Sequence, residues 1–306
     1  MRGKNFLQAP PPLFPKILVV LATMIWGSAF LVMKNTLDTM GPYYILALRF
    51  TIAAVLLAIF CAPQWKRDFT PSFLWEGAVM GTLLFWGYAF QSIGLTDTTP
   101  GKNAFLTVLY CVEVPFLCWL FYRRRPDRFD VIGAGMCLIG MGLVSLDGAL
   151  TMGWGDQMTV VCSVFYALHI VAASAFTQKH NAMLLTVLQF AFSAVWAWGC
   201  SLFTGEAIFL PTGNEALSIL YMAVFATCLA LSFQNYGEKH LPAAPLSILL
   251  SLESVFGVLF SVLFGTERPT IPMLIGFAVI FAAVLISQTK LSFLSPFRKK
   301  EETARE

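Results

Sequence analysis

Charged residues are scarce in this chain of 306 residues: Asp, Glu, Lys and Arg together make up 12% of it, while hydrophobic residues make up 58%. The mean hydropathy is +0.72. Because a soluble globular domain carries about 25% charged residues, this composition excludes a soluble domain of the ordinary kind. It predicts a chain that lies mostly within a lipid bilayer.

Motifs for nucleotides, metals and hydrolysis are also missing. The sequence contains no GxxxxGK[ST] phosphate loop, no HExxH and no GxSxG. Its seven cysteines form no CxxC pair and no His/Cys spacing typical of zinc. We therefore expect no cofactor, no metal site and no disulfide framework, and we predict that the protein is not an enzyme.

Apolar stretches of membrane-spanning length recur along nearly the whole chain. A transmembrane helix needs about 20 mostly apolar residues, and ten stretches meet that need. We therefore predict an all-α integral membrane protein with ten transmembrane helices and short connections. The predicted spans cover residues 16–37, 43–61, 72–93, 101–122, 130–147, 155–177, 184–203, 215–237, 244–264 and 271–289.

The Lys and Arg residues of the loops predict the orientation of these spans. With the N-terminus inside, the inner segments hold most of the basic residues, and the outer loops hold only Lys34, Lys102 and Arg268. Cytoplasmic loops are normally the basic ones. We predict a multi-pass protein of the bacterial cytoplasmic membrane with both termini in the cytoplasm. The basic cluster Arg123–Arg128 is then an orientation signal, and no nucleic-acid partner is expected.

An internal repeat divides the chain into two halves of five spans each. A shift of 140 residues places Leu48-Arg49-Phe50 on Leu188-Gln189-Phe190 and Glu113 on Glu253, and a shift of 143 places Phe90-Gln91 on Phe233-Gln234. An odd number of spans per half makes the two halves insert with opposite orientation, as in many secondary transporters. The predicted organisation is an N-terminal segment (1–15), two five-helix repeats (16–147 and 148–289) and a basic tail (290–306). A monomer suffices for this plan.

Two stretches of the sequence resemble a known family. Residues 25–30 (IWGSAF) with 45–50 (ILALRF), and residues 250–269 with 274–286, are similar to the opening and closing signatures of the EamA type in the drug/metabolite transporter superfamily. This resemblance covers nearly the whole chain. It implies a ten-helix fold around a central cavity and the transport of amino acids or other small metabolites.

Two glutamates lie deep inside predicted spans, Glu113 in the fourth and Glu253 in the ninth. A charge at the centre of a bilayer costs about 2.5 kcal/mol or more, so such residues usually face a protein interior or a watery cavity. One interpretation is a site for a cation or a proton, and the other is a protonated carboxyl group bonded to a neighbouring helix. We predict unequal roles: Glu113 in the substrate pocket, next to a bend at Pro115, and Glu253 as a coupling or structural carboxylate bonded by the nearby serines.

Arg49 lies about two turns into the second span, too deep for a loop residue. At that depth it needs a carboxylate, a substrate anion or carbonyl groups as partner. Snorkelling to the outer surface, or a tie between helices, is the alternative. The sequence does not decide between these interpretations.

Aromatic and amide side chains are candidates for the rest of the pocket. Leu84, Tyr88 and Gln91 share one helix face, with Trp86 off that face, and rings attract cations. Packing within or around the helix bundle is the competing role for each aromatic residue. The substrate-binding candidates are Tyr88, Trp86, Tyr110, Trp26, Arg49 and Glu113. Secondary candidates, interpreted first as partners in contacts between helices, are Gln91, Gln234 and His169.

These features predict a secondary transporter for a small amine-containing or zwitterionic metabolite, with amino acids as examples and protons as a candidate coupling ion. The repeat plan and the buried glutamates motivate that function. A passive pore or a membrane sensor that does not transport is the alternative. The direction of transport does not follow from the sequence.

Overall fold

The computed structural model describes residues 13–68, 70–123, 125–145, 153–264, 268 and 270–290. Nearly all of them are helical, and these residues contain no strand. Most of the predicted N-terminal segment and basic tail, the predicted boundary between the repeats at 147/148, and Arg124 lie outside the described residues. The helices are α1 Leu13–Leu37, α2 Pro42–Asp68, α3 Ser72–Thr96, α4 Pro100–Thr107, α5 Tyr110–Tyr122, α6 Arg128–Ser145, α7 Trp154–Thr177, α8 Ala182–Thr204, α9 Gly213–Tyr221, α10 Ala230–His240, α11 Ala243–Leu250, α12 Leu252–Leu263 and α13 Ile271–Thr289.

These helices form an integral membrane protein that crosses the bilayer many times. Eight helical segments are long and apolar enough to span it, and three of them join consecutive helices: α4 with α5, α9 with α10, and α11 with α12. The shorter apolar helices α6 and α13, of 18 and 19 residues, stand where the fifth and tenth spans are predicted. At 1.5 Å per residue each is about 27 Å long or slightly more, close to the thickness of the hydrocarbon layer. The described part of the chain is thus compatible with ten spans.

The packing of the helices follows an approximate two-fold symmetry between the halves. Helix α2 packs on α8, and α6 packs on α13, so equivalent helices of the two repeats contact each other. The contact of α3 with α7 has its counterpart in that of α10 with α1, and the contact of α5 with α7 in that of α12 with α1. Such exchanged pairs are expected when two repeats insert in opposite orientation.

Three spans are interrupted. The fourth breaks at Val108–Leu109 and the ninth at Ser251. In the eighth, Met222–Leu229 forms a π-helical segment between α9 and α10. The fourth span does not break at Pro115, because α5 runs through that residue to Tyr122.

The breaks correct the predicted register of the repeat. Helix α11 starts and ends 143 residues after α4, at 243 against 100 and at 250 against 107. A shift of 143 makes Tyr110 the counterpart of Glu253, so the helix break does not support the predicted equivalence of Glu113 and Glu253. The shift of 140 holds for the first two spans, where α8 begins at 182 and α2 at 42. The sequence match failed because a shared residue type outweighed the position of the helix break.

We call the end of the bundle where α1 begins the near face, and the end where α1 finishes the far face. Close helix contact at mid-depth comes from Gly27 of α1. A Cβ atom there would lie 2.7 Å from the backbone carbon of Phe256 and 2.8 Å from the backbone nitrogen of Gly257 on α12. The lack of a Cβ atom at Gly27 therefore allows the two repeats to approach this closely, as expected for glycine in membrane helices.

Candidate substrate cavity

A cavity of about 60 Å³ lies between the two repeats. Helices α1, α2, α3, α5, α7, α10, α11 and α12 all contribute to the wall. Six pairs of repeat-equivalent residues line it: Trp26 and Tyr166, Ala29 and His169, Phe30 and Ile170, Tyr88 and Leu231, Gln91 and Gln234, Tyr110 and Glu253. The cavity therefore lies at the centre of the two-fold arrangement.

Arg49 of α2 supplies the positive charge of the cavity. Its side chain is 3% exposed, and its Nε donates a hydrogen bond of 2.8 Å to Oγ1 of Thr227. The guanidinium carbon lies 4.5 Å from the centre of the Tyr88 ring, a cation–π contact. Arg49 thus points into the protein interior rather than to the outer surface, and neutral groups hold it.

The π-helical segment positions the partner of Arg49. Thr227 Oγ1 donates to the backbone oxygen of Met222, five residues earlier, at 2.8 Å. This spacing belongs to a π-helix, and such segments occur often at functional sites. The lone pairs of the hydroxyl oxygen stay free for the hydrogen bond from Arg49.

Glu253 supplies the acidic side chain of the cavity, in the first turn of α12 directly after the break at Ser251. It is 7% exposed and lines the cavity, and its Oε2 accepts a long hydrogen bond of 3.4 Å from the Tyr110 hydroxyl. A carboxylate is favoured at the N-terminal end of a helix by the helix dipole. The serines predicted to bond it do not, since Ser251 and Ser254 both donate to backbone oxygens.

Glu113 does not belong to the wall of this cavity, contrary to our prediction. Its Oε1 accepts from the Ser163 hydroxyl of α7 at 2.9 Å, and its Oε2 is buried without a described partner. Helix α5 packs on α7, which supplies a donor beside the carboxyl group. The structure thus places Glu253 at the cavity and Glu113 in a helix contact, the reverse of the predicted arrangement.

The other candidates divide between wall and packing. Tyr88, Tyr110, Trp26, Gln91, Gln234 and His169 all line the cavity. Trp86 does not: its ring packs 5.1 Å from Phe85 and 6.0 Å from Trp196, in a cluster between α3 and α8. Its position off the Tyr88 face explains this, so the prediction of Trp86 as a pocket residue is not supported by its position.

Hydrogen bonds fix the polar part of the wall. Gln91 donates to Thr107 Oγ1 at 3.1 Å and accepts from the Tyr166 hydroxyl at 3.0 Å, so it joins α3 to α4 and α7. Trp26 Nε1 donates to the backbone oxygen of Ala226 at 2.7 Å. These bonds hold the side chains in place before any ligand enters.

His169 and Gln234 differ in the kind of contact they make. His169 Nε2 lies 2.9 Å from Gln189 Oε1 on α8, a contact between helices. Gln234 instead donates to Glu238 within its own helix at 2.7 Å, and among the described residues it forms no bond to another helix.

Sequence reasoning missed Tyr166, Thr227 and Glu238. Tyr166 could have been found as the repeat counterpart of Trp26. No pattern in the sequence predicts the π-helical segment around Thr227. Glu238 was treated as part of a loop because the predicted span ended at residue 237, but the helix continues to His240. Among the described residues no group of three or more His, Cys, Asp or Glu is placed to hold a metal ion.

The sequence matches the model of the EamA-like transporter family twice, over residues 13–146 and 153–289. The chain belongs to this family. The tandem match agrees with the two repeats of the structure, and the resemblance found in the sequence is confirmed.

Relatives of this EamA-like protein carry transporter names. An "Uncharacterized transporter" of Archaeoglobus fulgidus is 32% identical over 278 residues, which is 90% of this chain and 85% of the relative. The "Uncharacterized inner membrane transporter YedA" of Escherichia coli (strain K12) is 23% identical, with 92% of each chain covered. A solved crystal structure matches the fold with a TM-score of 0.75 at 19% identity, covering 90% of this chain and 96% of that one. The protein is therefore a membrane transporter.

Proposed function

We propose that this EamA-like protein moves a small zwitterionic metabolite, an amino acid in the simplest case, across the bacterial cytoplasmic membrane by alternating access. One observation carries the proposal: Arg49 and Glu253 line the same cavity. No ion pair joins the two among the described contacts. Two opposite charges held apart by neutral partners suit a molecule that carries both an ammonium and a carboxylate group.

The wall between the two charges suits an apolar or aromatic side chain. The Tyr88 ring lies beside Arg49, the Tyr110 hydroxyl reaches Glu253, and the rings of Tyr88 and Tyr166 meet edge to face with centres 5.4 Å apart. Ring faces pack against flat groups and attract cations. In our proposal the substrate carboxylate binds Arg49 and its ammonium group binds Glu253.

Alternating access follows from the inverted repeat in this proposal. The cavity lies at the centre of two halves of opposite orientation, the arrangement in which one half rocks against the other around a fixed site. The basic loops favour the cytoplasm at the near face, and the name of the Escherichia coli relative supports the inner membrane. The protein works as a monomer in this scheme.

Uptake into proteoliposomes tests the proposal with three matched probes. L-phenylalanine carries both charges, phenethylamine lacks the carboxylate, and phenylpropionate lacks the ammonium group. We expect saturable uptake and counterflow of L-phenylalanine. Arg49→Gln should weaken recognition of L-phenylalanine and phenylpropionate, and Glu253→Gln that of L-phenylalanine and phenethylamine, each by about ten- to a hundredfold, since a hydrogen bond to a charged group contributes about 1.5–3 kcal/mol.

Glu113→Gln is the matched control, because it makes the same chemical change at a residue outside the cavity wall. It should leave the preference among the three probes unchanged. Uptake without saturation or counterflow would indicate a passive pore, and binding without flux would indicate a sensor. If Arg49→Gln and Glu253→Gln both left recognition of all three probes intact, the zwitterion assignment would be wrong.

A further inference from the structure

Glu238 of α10 is a buried acidic residue that the proposed cavity does not use directly. It lies two residues before the end of its helix at His240, towards the near face, yet its exposed fraction is 0%. Residues next to it in the chain pack against apolar groups: a Cβ atom on Gly237 would meet Val19 of α1, and Leu241 is buried. A carboxyl group in such a place is a candidate functional group.

The hydrogen bonds of Glu238 leave half of the carboxyl group without a partner. Its Oε1 accepts from Gln234 Nε2 at 2.7 Å, while its Oε2 is buried and has no described partner. One turn earlier on the same helix, Asn235 donates to Thr186 at 2.7 Å and leaves its own Oδ1 buried without a partner. Residues three apart are neighbours on a helix surface, so two unpartnered oxygens lie on adjacent positions.

No described positive charge compensates an ionised Glu238. The elements packed against α10 are α1, α7, α8, α11 and the π-helical segment. None of their titratable groups forms a described hydrogen bond or ion pair with Glu238, and α11 has none. The groups in question are Lys16 and Lys34 of α1, Asp156, Cys162, Tyr166 and His169 of α7, Cys200 of α8, Cys228 of the π-helical segment, and Tyr236, Lys239 and His240 of α10 itself.

Binding of a proton to Glu238 would remove this uncompensated buried charge. An ionised carboxylate here would keep a full charge in an apolar site with a single donor, and burial of an unpaired charge is far more costly than one hydrogen bond can offset. Protonation removes the charge and turns Oε2 from an acceptor into a donor. The acceptor that lacks a donor, Asn235 Oδ1, belongs to the residue three positions earlier, which is a neighbouring position on the helix surface.

We propose that Glu238 is a proton-binding site of the transport cycle, linked to the substrate cavity through Gln234. This inference rests on the proposed function, because a coupling site needs a transported substrate. Gln234 provides the link, since its side chain lines the cavity while its amide donates to Glu238. The step is simple protonation: the carboxylate takes up one proton from water and later returns it, and no other bond changes. A substrate that engages Gln234 weakens the bond to Glu238 and so alters how firmly the proton is held.

Infrared spectroscopy tests proton binding without any substrate. Spectra of the full-length protein in detergent are recorded over a range of pH with choline as the cation, and the carbonyl band of protonated carboxyl groups is followed. We expect Glu238→Gln to remove one titrating component that Glu113→Gln leaves in place. An unchanged band pattern in Glu238→Gln would overturn the proposal. So would loss of that component on replacing choline with sodium at constant pH, because the site would then bind a metal cation.

Proteoliposomes test the coupling, with L-phenylalanine as probe. Wild-type protein should accumulate it under a pH gradient, and Glu238→Gln should lose that accumulation while keeping counterflow, in which L-phenylalanine exchanges at equal pH on both sides. Retained counterflow shows that the variant is folded, and Glu238→Asp, which keeps a titratable group, should restore accumulation. Accumulation by Glu238→Gln at the wild-type level would overturn the proposal. If the wild type took up no L-phenylalanine, the proposed substrate class would fail, and the infrared titration would still decide whether Glu238 binds a proton.

Discussion

The two repeats build one cavity from equivalent positions, yet they contribute opposite charges to it. The first repeat supplies Arg49, whose counterpart in the second is the neutral Gln189. The second repeat supplies Glu253, whose counterpart in the first is the neutral Tyr110. A symmetric scaffold thus carries an asymmetric pair of charges.

The similarity of the two halves relates to the fold, whereas the difference in their cavity side chains relates to substrate recognition. In the proposed alternating access one half rocks against a similar half, and the exchanged helix contacts are evidence of that similarity. Recognition of a molecule with two different ends needs a site that is not symmetric. The two repeats therefore carry different side chains at equivalent positions, Arg49 against Gln189 and Tyr110 against Glu253.

The largest expected effect is a loss of stability when the close contact between the repeats at Gly27 is disturbed. Gly27→Ala places a methyl group against the backbone of α12, where the neighbouring atoms cannot turn away. Overpacking of this kind costs about 1–3 kcal/mol, so the unfolding temperature in detergent should fall clearly. The repeat counterpart of Gly27 is Ala167, which the second repeat accommodates fully buried.

Gly199→Ala is the control for that measurement. It lies inside α8, five residues before the end of the helix at Thr204, and a Cβ atom there would meet nothing within 4 Å. Alanine favours a helix over glycine by about 1 kcal/mol, so this variant should be as stable as the wild type or more stable. Equal destabilisation by Gly27→Ala and Gly199→Ala would show that the α1–α12 contact is looser than described.

A smaller effect is expected at the pair formed by Tyr110 and Glu253. Tyr110→Phe removes the hydroxyl that donates to Glu253 at 3.4 Å. Hydrogen bonds to charged groups contribute about 1.5 kcal/mol at the lower end, close to a tenfold change in binding. We expect altered recognition of phenethylamine and L-phenylalanine but not of phenylpropionate, measured by competition in proteoliposomes.

Tyr166→Phe is the comparison for Tyr110→Phe. It removes a hydroxyl from the same cavity, but that hydroxyl bonds Gln91 and not a charged group. The three probes should then be affected alike. If the two variants showed the same pattern among the probes, Tyr110 would have no special relation to the ammonium site.

The span pattern, the repeat and the family could all be predicted from the sequence, because long apolar stretches and their order depend on composition along the chain. The shared face of Tyr88 and Gln91 was also predictable from helical spacing. Which of the two glutamates, Glu113 or Glu253, lines the cavity could not be predicted, since this depends on where the fourth and ninth spans break. Glu238 lies just outside the predicted span, which ends at residue 237, whereas in the structure it is fully buried within α10.

A modest effect should distinguish two tryptophans that the sequence alone grouped together. Trp26→Phe removes a hydrogen bond to Ala226 at the cavity wall, worth about 1 kcal/mol. It should change L-phenylalanine uptake severalfold. Trp86→Phe changes a ring that packs between α3 and α8 away from the cavity. It should leave the preference among the three probes at the wild-type level. A changed preference would mean that Trp86 contributes to the substrate pocket.

The smallest effect concerns an ion pair between the repeats at the near face. Lys290, which follows α13, donates to Oδ2 of Asp127, which precedes α6, at 2.8 Å. Partial burial raises the pKa of Asp127, but the hydrogen bond from Lys290 and that from the Phe129 amide outweigh it, so the pKa lies below its usual value. Because the folded-state pKa is lowered, the pair contributes stability above the unfolded pKa of about 3.9 and loses it as pH falls through the folded value.

Asp127→Asn should therefore destabilise the protein by less than about 1 kcal/mol at neutral pH, as is usual for exposed pairs. Asparagine keeps an oxygen that accepts from the Phe129 amide, so the substitution isolates the charge. Thermal unfolding in detergent from about pH 7 down to about pH 3 should show the difference from wild type shrinking as Asp127 is protonated. A difference that stayed constant over that range would mean that the ion pair does not hold α6 and α13 together through its charge.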